Sequence, residues 1–352
     1  MDIAIVGAAQ SGKSTTFRAL TAGHGSSSPD GRETVGVVKI PDERLDKLAV
    51  LVKAKKITPI EVFLHDLPPL FQKGAAPSGP AGETLAKADA LMHVVRMFDR
   101  TEGDPSKDIA DFDAELMLFD LGIIERRLDK IESNLRSGKA SEKEATEREK
   151  VLLSKVKPIL EQDKPLRDEV TDDADLRALA NFGLLSLKPM LVLLNVGEDA
   201  VGEQAKIAGE YQAKLSGVRT RATAMSAKLE AELAELTPDE AAEFRRDLGA
   251  PEGGTKAVLE QARELLGLLT FFTAGEKDTR AWSLPVGGSA LQAAGRIHTD
   301  IERGFIRAEV IRWDTLLELG SHVEAKKKGQ LRQEGKTYVI QDGDVINVLF
   351  NV

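Results

Sequence analysis

The chemistry in this sequence is concentrated in Gly7-Ala-Ala-Gln-Ser-Gly12-Lys13-Ser14-Thr15, where two glycines separated by four residues are followed by lysine and hydroxyl residues. Glycines let backbone N–H groups approach phosphate oxygens closely, and the helix that must follow turns its positive end toward the same anion. Lys13 is expected to reach the β and γ phosphates of a nucleotide. The Ser14 hydroxyl is expected to ligate Mg2+, which keeps several waters and needs few protein ligands. Thr15 adds an expected contact to the α phosphate. Gly7, Gln10, Ser11 and Gly12 supply the rest of the phosphate cradle.

Such a loop works with a carboxylate at the end of a neighbouring strand, and the run Ile60 to Leu64 ends in His65 and Asp66. Asp66 is the candidate for orienting magnesium through water. His65, one residue earlier on an extended chain, should face the other way and serve packing. A third group follows the run Met190 to Leu194. Asn195-Val-Gly-Glu198 stands where a P-loop GTPase carries Asn-Lys-x-Asp, with Glu198 in place of the guanine-reading aspartate and Val196 in place of the lysine whose stem covers the base. Asn195 is expected to keep the purine contact. Ser226-Ala227-Lys228, after Arg221 to Met225, fits a loop whose backbone closes over the base.

Stepping out to the elements, short apolar runs at 3–6, 35–40, 60–64, 90–98 and 190–196 alternate with helical or loop stretches, which predicts an α/β fold with a largely parallel sheet. Between the fourth and fifth runs, Phe112, Leu116, Phe119 and Ile123 recur at helical spacing. The phase then slips by one residue and continues through Ile124, Leu128, Ile131 and Leu135. Leu152, Val156 and Ile159 repeat the spacing after a polar stretch at 137–146, so residues 112–170 are expected to form an antiparallel helical hairpin inserted into the α/β domain. From Phe271 onward strand and turn signals dominate. Asp342-Gly343 before Val345 to Phe350 predicts a tight hairpin from Tyr338 to Ile340, and residues 289–302 predict one helix. The expected domains are therefore 1–111 and 171–268 for the P-loop domain, 112–170 for the insertion and 269–352 for a small C-terminal domain.

Composition narrows the function classes. Hydrophobic residues are 42%, charged residues 30% and the net charge is -9, the balance of a globular protein with no general attraction to nucleic acid. The absence of cysteine and the five scattered histidines exclude disulfides, thiol catalysis and a thiolate metal site. No stretch approaches the roughly 20 apolar residues of a bilayer span, and the N-terminus lacks a signal-peptide pattern. A cytoplasmic protein without membrane or sequence-specific DNA partners is expected.

Together these residues resemble the YchF family of Obg-related ATPases over nearly the whole chain. The most specific segments are Ser226-Ala-Lys-Leu-Glu-Ala-Glu-Leu-Ala-Glu-Leu236, Phe271-Phe-Thr-Ala-Gly275, Gln292-Ala-Ala-Gly-Arg-Ile-His-Thr-Asp300, Gly304-Phe-Ile-Arg-Ala-Glu-Val310 and Gln341-Asp-Gly-Asp-Val345. The resemblance implies a P-loop domain that prefers ATP through the Asn-x-x-Glu variant, an inserted coiled-coil hairpin, and a C-terminal TGS domain of β-grasp fold. It also implies a ribosome or ribosomal RNA as partner. Lys326 to Lys328 is the one basic run of the C-terminal domain and reads as a solvated loop, while His298 and Asp300 could meet the nucleotide domain or RNA, or form an inert surface pair.

The departures from the family cluster at the γ phosphate. Where relatives carry Asp-x-x-Gly the chain has Asp66-Leu-Pro-Pro69, Leu70 follows, and Gln10-Ser11 replaces Asn-Val. Thr34 is the candidate for the first-switch threonine in the region 21–34. Two functions remain: a slow, magnesium-dependent ATPase with Lys13 and Asp66 as its catalytic residues, whose nucleotide state controls ribosome docking, or a nucleotide-responsive binding module with little hydrolysis. A GTP-using member is the further alternative.

Overall fold

In the computed structural model the central apolar runs are strands buried on both faces. Ile3 to Val6 and Met190 to Leu194 are all at most 1% exposed, and an unbroken apolar run rather than an alternating one is what a parallel sheet covered on both sides requires. The structure describes residues 1–27, 33–70, 79–99, 104–136, 143–215, 217–251 and 253–351. The strands are β1 (Asp2–Val6), β2 (Ser26–Ser27), β3 (Thr34–Ile40), β4 (Ile57–Thr58), β5 (Ile60–Asp66), β6 (Ala90–Arg96), β7 (Met190–Asn195), β8 (Thr220–Met225), β9 (Leu268–Ala274), β10 (Thr279–Pro285), β11 (Phe305–Arg312), β12 (Arg332–Glu334) and β13 (Asp344–Phe350). The helices used below are α1 (Lys13–Thr21), α2 (Glu43–Val52), α3 (Gly79–Lys87), α4 (Pro105–Arg136) and α5 (Lys143–Leu160).

The chain divides into two units, Met1–Val38 with Phe63–Leu265, and Lys39–Val62 with Leu266–Val352. The grouping of 39–62 with the C-terminal residues has no signal in the hydrophobic pattern.

The first unit is built on the sheet β2-β3-β5-β1-β6-β7-β8. β1 pairs in parallel with β5 and with β6, β6 with β7, and β7 with β8. The α/β fold with a largely parallel sheet is thus the observed one, and the carboxyl ends of five strands come to one side. α4 begins at Pro105, seven residues before the expected hairpin, with Asp104 accepting from Ser106 N–H at 2.9 Å as its cap. The early start has a packing reason. Ile109, Phe112 and Leu116 are buried in the core under the sheet, whereas Met117, Ile124 and Ile131 belong to a second core with Leu153, Val156 and Leu160 of α5. The one-residue phase slip in the sequence marks where α4 passes from one core to the other. Between them the Asp120 carboxylate, fully buried, accepts from Leu185 N–H at 2.8 Å, Ser186 N–H at 2.7 Å and the Ser186 hydroxyl at 2.6 Å. Burial outweighs these donors and pushes its carboxyl up to about 6.

The second unit carries the sheet β12-β11-β13-β9-β10-β4, with Phe271, Leu284, Ala290, Ala294, Val310 and Ile346 in its core. Two expectations are corrected here. Tyr338 to Ile340 is not a hairpin partner of β13, because Val339 makes only an isolated bridge to Ser289, while β13 pairs with β11 and β9. The Asp342-Gly343 turn does form, with Gly343 at φ 86, but it docks on β9: Asp342 accepts from Thr270 N–H at 2.8 Å and Gly343 N–H donates to Thr270 O at 2.8 Å. The helix expected over 289–302 breaks at His298, whose extended backbone and ring Nδ1, accepting from Asp300 N–H at 3.2 Å, start a second short helix. His298 is a cap.

Candidate nucleotide site

Each strand end delivers one part of the site. β1 releases the chain into Gly7, whose φ of 140 is open only to glycine. A Cβ there would meet the carbonyl oxygen of Val94, and one at Gly12, φ 95, would strike the Asn195 carboxamide. Gln10 also takes a positive φ, of 60, and is exposed at the rim of the loop. Ser11 is buried beneath the loop, and its hydroxyl has no partner among the described residues. From Lys13 the chain continues as α1, so the backbone N–H groups at its start face the cradle.

Lys13 is only 7% exposed, and its ammonium donates to the carbonyls of Gly7 at 3.0 Å and Ala8 at 2.8 Å. The cation is held inside the loop it serves. Burial lowers its pKa, opposed by the charge of Asp66. Asp66, at the end of β5, is raised by burial, opposed by the hydrogen bond from Ser14 and the charge of Lys13. Its Oδ1 is buried and has no partner among the described residues. Ser14 and Asp66 therefore come together with one carboxylate oxygen left over, a donor set that fits magnesium. No group of three or more His, Cys, Asp or Glu among the described residues forms a denser metal site.

His65 does not simply pack. Its Nδ1 meets Glu33 Oε1 at 2.7 Å and its Nε2 meets Asp2 Oδ1 at 3.2 Å, while Glu33 also accepts from the Thr84 hydroxyl at 3.2 Å. Thr34, the first-switch candidate, has its hydroxyl 3.3 Å from that of Ser27 across the β2–β3 pair. Residues 28–32 of that region lie outside the described residues. Past Asp66, Leu67 is buried and Leu70 packs against the core under the sheet, with Pro68 and Pro69 between them.

At the other end, Asn195 is a clasp. Its Nδ2 donates to Ser11 O at 3.0 Å and its Oδ1 accepts from Ala227 N–H at 3.0 Å, joining the phosphate loop to the 226–228 loop. Glu198 is paired with Lys228 at 2.7 Å on the surface, an ion pair that raises the Lys228 pKa. Val196 is 3% exposed, with its N–H donating to Met225 O at 3.1 Å, and Ser226 is fully buried. The structure brings together the phosphate loop, Ser14, Asp66, Asn195, Glu198, Ala227 and Lys228. It turns the side chains of Val196 and Ser226 inward.

Two neighbours carried no motif. Phe98, just past β6, lies beside both loops: a Cβ on Gly12 would sit 3.7 Å from its ring and one on Gly197 3.6 Å from its Cβ. Arg96 covers its ring at 4.7 Å. His93 on β6 is buried, stacks on Phe112 at 4.2 Å and 26°, and approaches Gly7 from behind. Burial, with the nearby charges of Arg167 and Lys13, pushes it down to about 3. An aromatic residue directly after a central strand was the only sequence signal for Phe98.

A parallel sheet that ends in a glycine-rich loop, a lysine in that loop and a serine–aspartate pair beside it defines a P-loop nucleotide-binding protein. The chain belongs to the YchF family. It is 37% identical over 366 residues to the "Ribosome-binding ATPase YchF" of Bacillus subtilis (strain 168), covering 99% of this chain and 98% of that relative. The protein of the same name from Escherichia coli O157:H7 is 36% identical over 364 residues with the same coverage. The family model YchF-GTPase_C, described as a protein of unknown function (DUF933), matches residues 268–351. Among solved structures, the Schizosaccharomyces pombe YchF GTPase superposes with a TM-score of 0.81 at 28% identity, covering 99% of this chain and 97% of that one.

Proposed function

We propose that the chain is a magnesium-dependent, ATP-preferring nucleotide hydrolase of slow turnover that associates with the ribosome. The observation that carries the reading is the juxtaposition of Lys13, Ser14 and Asp66 under the phosphate loop. On nucleotide binding Lys13 exchanges two carbonyl acceptors for phosphate oxygens, a charge-assisted and stronger pairing. Asp66 and Ser14 would hold magnesium, which supplies charge neutralisation at the β and γ phosphates. At the base, Glu198 replaces the aspartate that reads guanine, and its pairing with Lys228 partly neutralises the carboxylate. The names of the relatives support hydrolysis and divide on the nucleotide, ATPase for the bacterial proteins and GTPase for the fission-yeast structure.

Leu70 favours a second reading, a nucleotide-responsive binding module with little turnover. A leucine packed on the core cannot orient a water, and Pro69 has no N–H to donate to a γ phosphate. Single-turnover hydrolysis on nucleotide-free protein separates the two. Turnover above a Lys13→Ala control supports the ATPase, and a rate equal to that control leaves the binding module. Cosedimentation with ribosomes in ATP, ADP and no nucleotide tests the partner. Pelleting that does not exceed a no-ribosome control in any state removes it.

A further inference from the structure

At the amino ends of the same strands, opposite the phosphate loop, the first unit holds a cavity of about 340 Å³. Lys188 at the turn into β7 and Arg219 just before β8 line it, together with the apolar side chains of Leu176 and Leu187. Both cations are half-buried, and neither has a carboxylate within ion-pair distance among the described residues. Lys188 donates to the carbonyls of Ala86 at 2.9 Å and Ala88 at 2.6 Å, which leaves one ammonium N–H over. The Arg219 guanidinium makes no hydrogen bond among the described residues, and its Nη1 is fully buried. Burial lowers the pKa of both, opposed at Lys188 by the charges of Asp89 and Asp120 and at Arg219 by that of Asp168.

The acids nearby are occupied or outside. Asp89, exposed on the rim, accepts from Asp2 N–H at 2.8 Å. Asp168 accepts from the backbone N–H of Arg219 at 3.3 Å rather than from its side chain. Lys87, also on the rim, is exposed and 3.7 Å from Glu83. A guanidinium whose Nη1 is buried without an acceptor is uncommon, and a tetrahedral oxyanion, with several oxygens, satisfies a guanidinium and an ammonium together. A phosphomonoester offers three terminal oxygens to the fork and the ammonium, one more than a carboxylate.

We propose that this cavity binds a small phosphomonoester, its phosphate held by Arg219 and Lys188 and its organic part on Leu176 and Leu187. The site is separate from the phosphate loop and independent of which nucleotide that loop takes.

The test titrates phenyl phosphate, and inorganic phosphate in a second arm, into full-length protein saturated with Mg-ADP, followed by calorimetry and by the methyl resonances of Leu176 and Leu187. Saturable binding that moves those methyls is expected. Arg219→Gln should weaken it at least tenfold and Arg219→Lys less. Tighter binding of phenyl phosphate than of inorganic phosphate identifies the ester as the ligand class, and equal binding reduces the site to a phosphate site and overturns the role of the leucines. If Arg219→Gln fails to fold, the wild-type methyl shifts decide. No saturable binding, unmoved methyls, or binding kept at wild-type affinity in Arg219→Gln would overturn the proposal. Loss of ATP binding by wild type would instead count against the nucleotide reading alone.

Discussion

Removing the carboxamide of Asn195 should destabilise the empty protein as well as weaken nucleotide binding. The side chain is 3% exposed and serves two buried backbone groups, the carbonyl of Ser11 and the N–H of Ala227. Asn195→Ala leaves both unpaired, at about 1 to 3 kcal/mol each, so the loss should total about 2 to 6 kcal/mol. That is a large fraction of the roughly 5 to 15 kcal/mol that holds a typical domain together. Trp282 and Trp313 both lie in the second unit, so tryptophan fluorescence would miss the event. Amide hydrogen exchange at Ala227, with urea unfolding followed by circular dichroism, reads it directly. Asn195→Asp should fall between wild type and alanine, since one oxygen still accepts from Ala227 while the other faces the Ser11 carbonyl. Gly12→Ala tests the same clasp from the opposite side, because its methyl collides with the Asn195 amide. If Asn195→Ala binds ATP poorly yet keeps wild-type protection at Ala227 and wild-type stability, the residue is a base contact and the clasp account is wrong.

Glu198→Asp should shift preference toward GTP, as read by competition between the two nucleotides; an unchanged ratio removes Glu198 from base selection. Pro69→Gly should raise the affinity of a non-hydrolysable ATP analogue relative to ADP by about tenfold to a hundredfold, the value of one hydrogen bond to a charged group. A ratio above about a hundredfold already in wild type would show that another donor supplies the contact. His93 titrates near 3, below the ordinary histidine value, so the unfolded chain takes up the proton first. The stability this contributes is complete above about pH 6.5 and is lost as pH falls toward 3, about 3 kcal/mol of it between pH 7 and 4. His93→Phe should therefore lose less stability over that span than wild type, and equal slopes in urea titrations would refute the assignment.

The phosphate loop and Asp66 were legible because their chemistry depends on residue type at fixed spacing, and the strands because their apolar runs are continuous. The phase slip near Ile123 was visible, but its meaning was not, since one helix feeding two cores needs the neighbours of each face to be known. The clasp made by Asn195 was not legible, because the motif names the residue and not its partners, Ser11 and Ala227, 184 and 32 positions away. Asp342-Gly343 carried a true turn signal that short-range pattern assigned to the wrong partner, β9 being 72 residues distant at Thr270. For His298 the sequence left a contact to the nucleotide domain or RNA and an inert surface pair both open, and its extended backbone adds a helix cap that no pattern signalled.

The central claim is that the loop from Gly7 to Thr15 binds a magnesium–nucleoside triphosphate and that ATP is preferred. Calorimetric titration of ATP and of GTP into nucleotide-free protein, with and without magnesium and beside Lys13→Ala, tests it most directly. The account predicts tighter binding of ATP than GTP, dependence on magnesium, and loss of binding in Lys13→Ala with the fold intact. Wild-type affinity in Lys13→Ala would contradict the site, and GTP binding as tightly as ATP would contradict the preference.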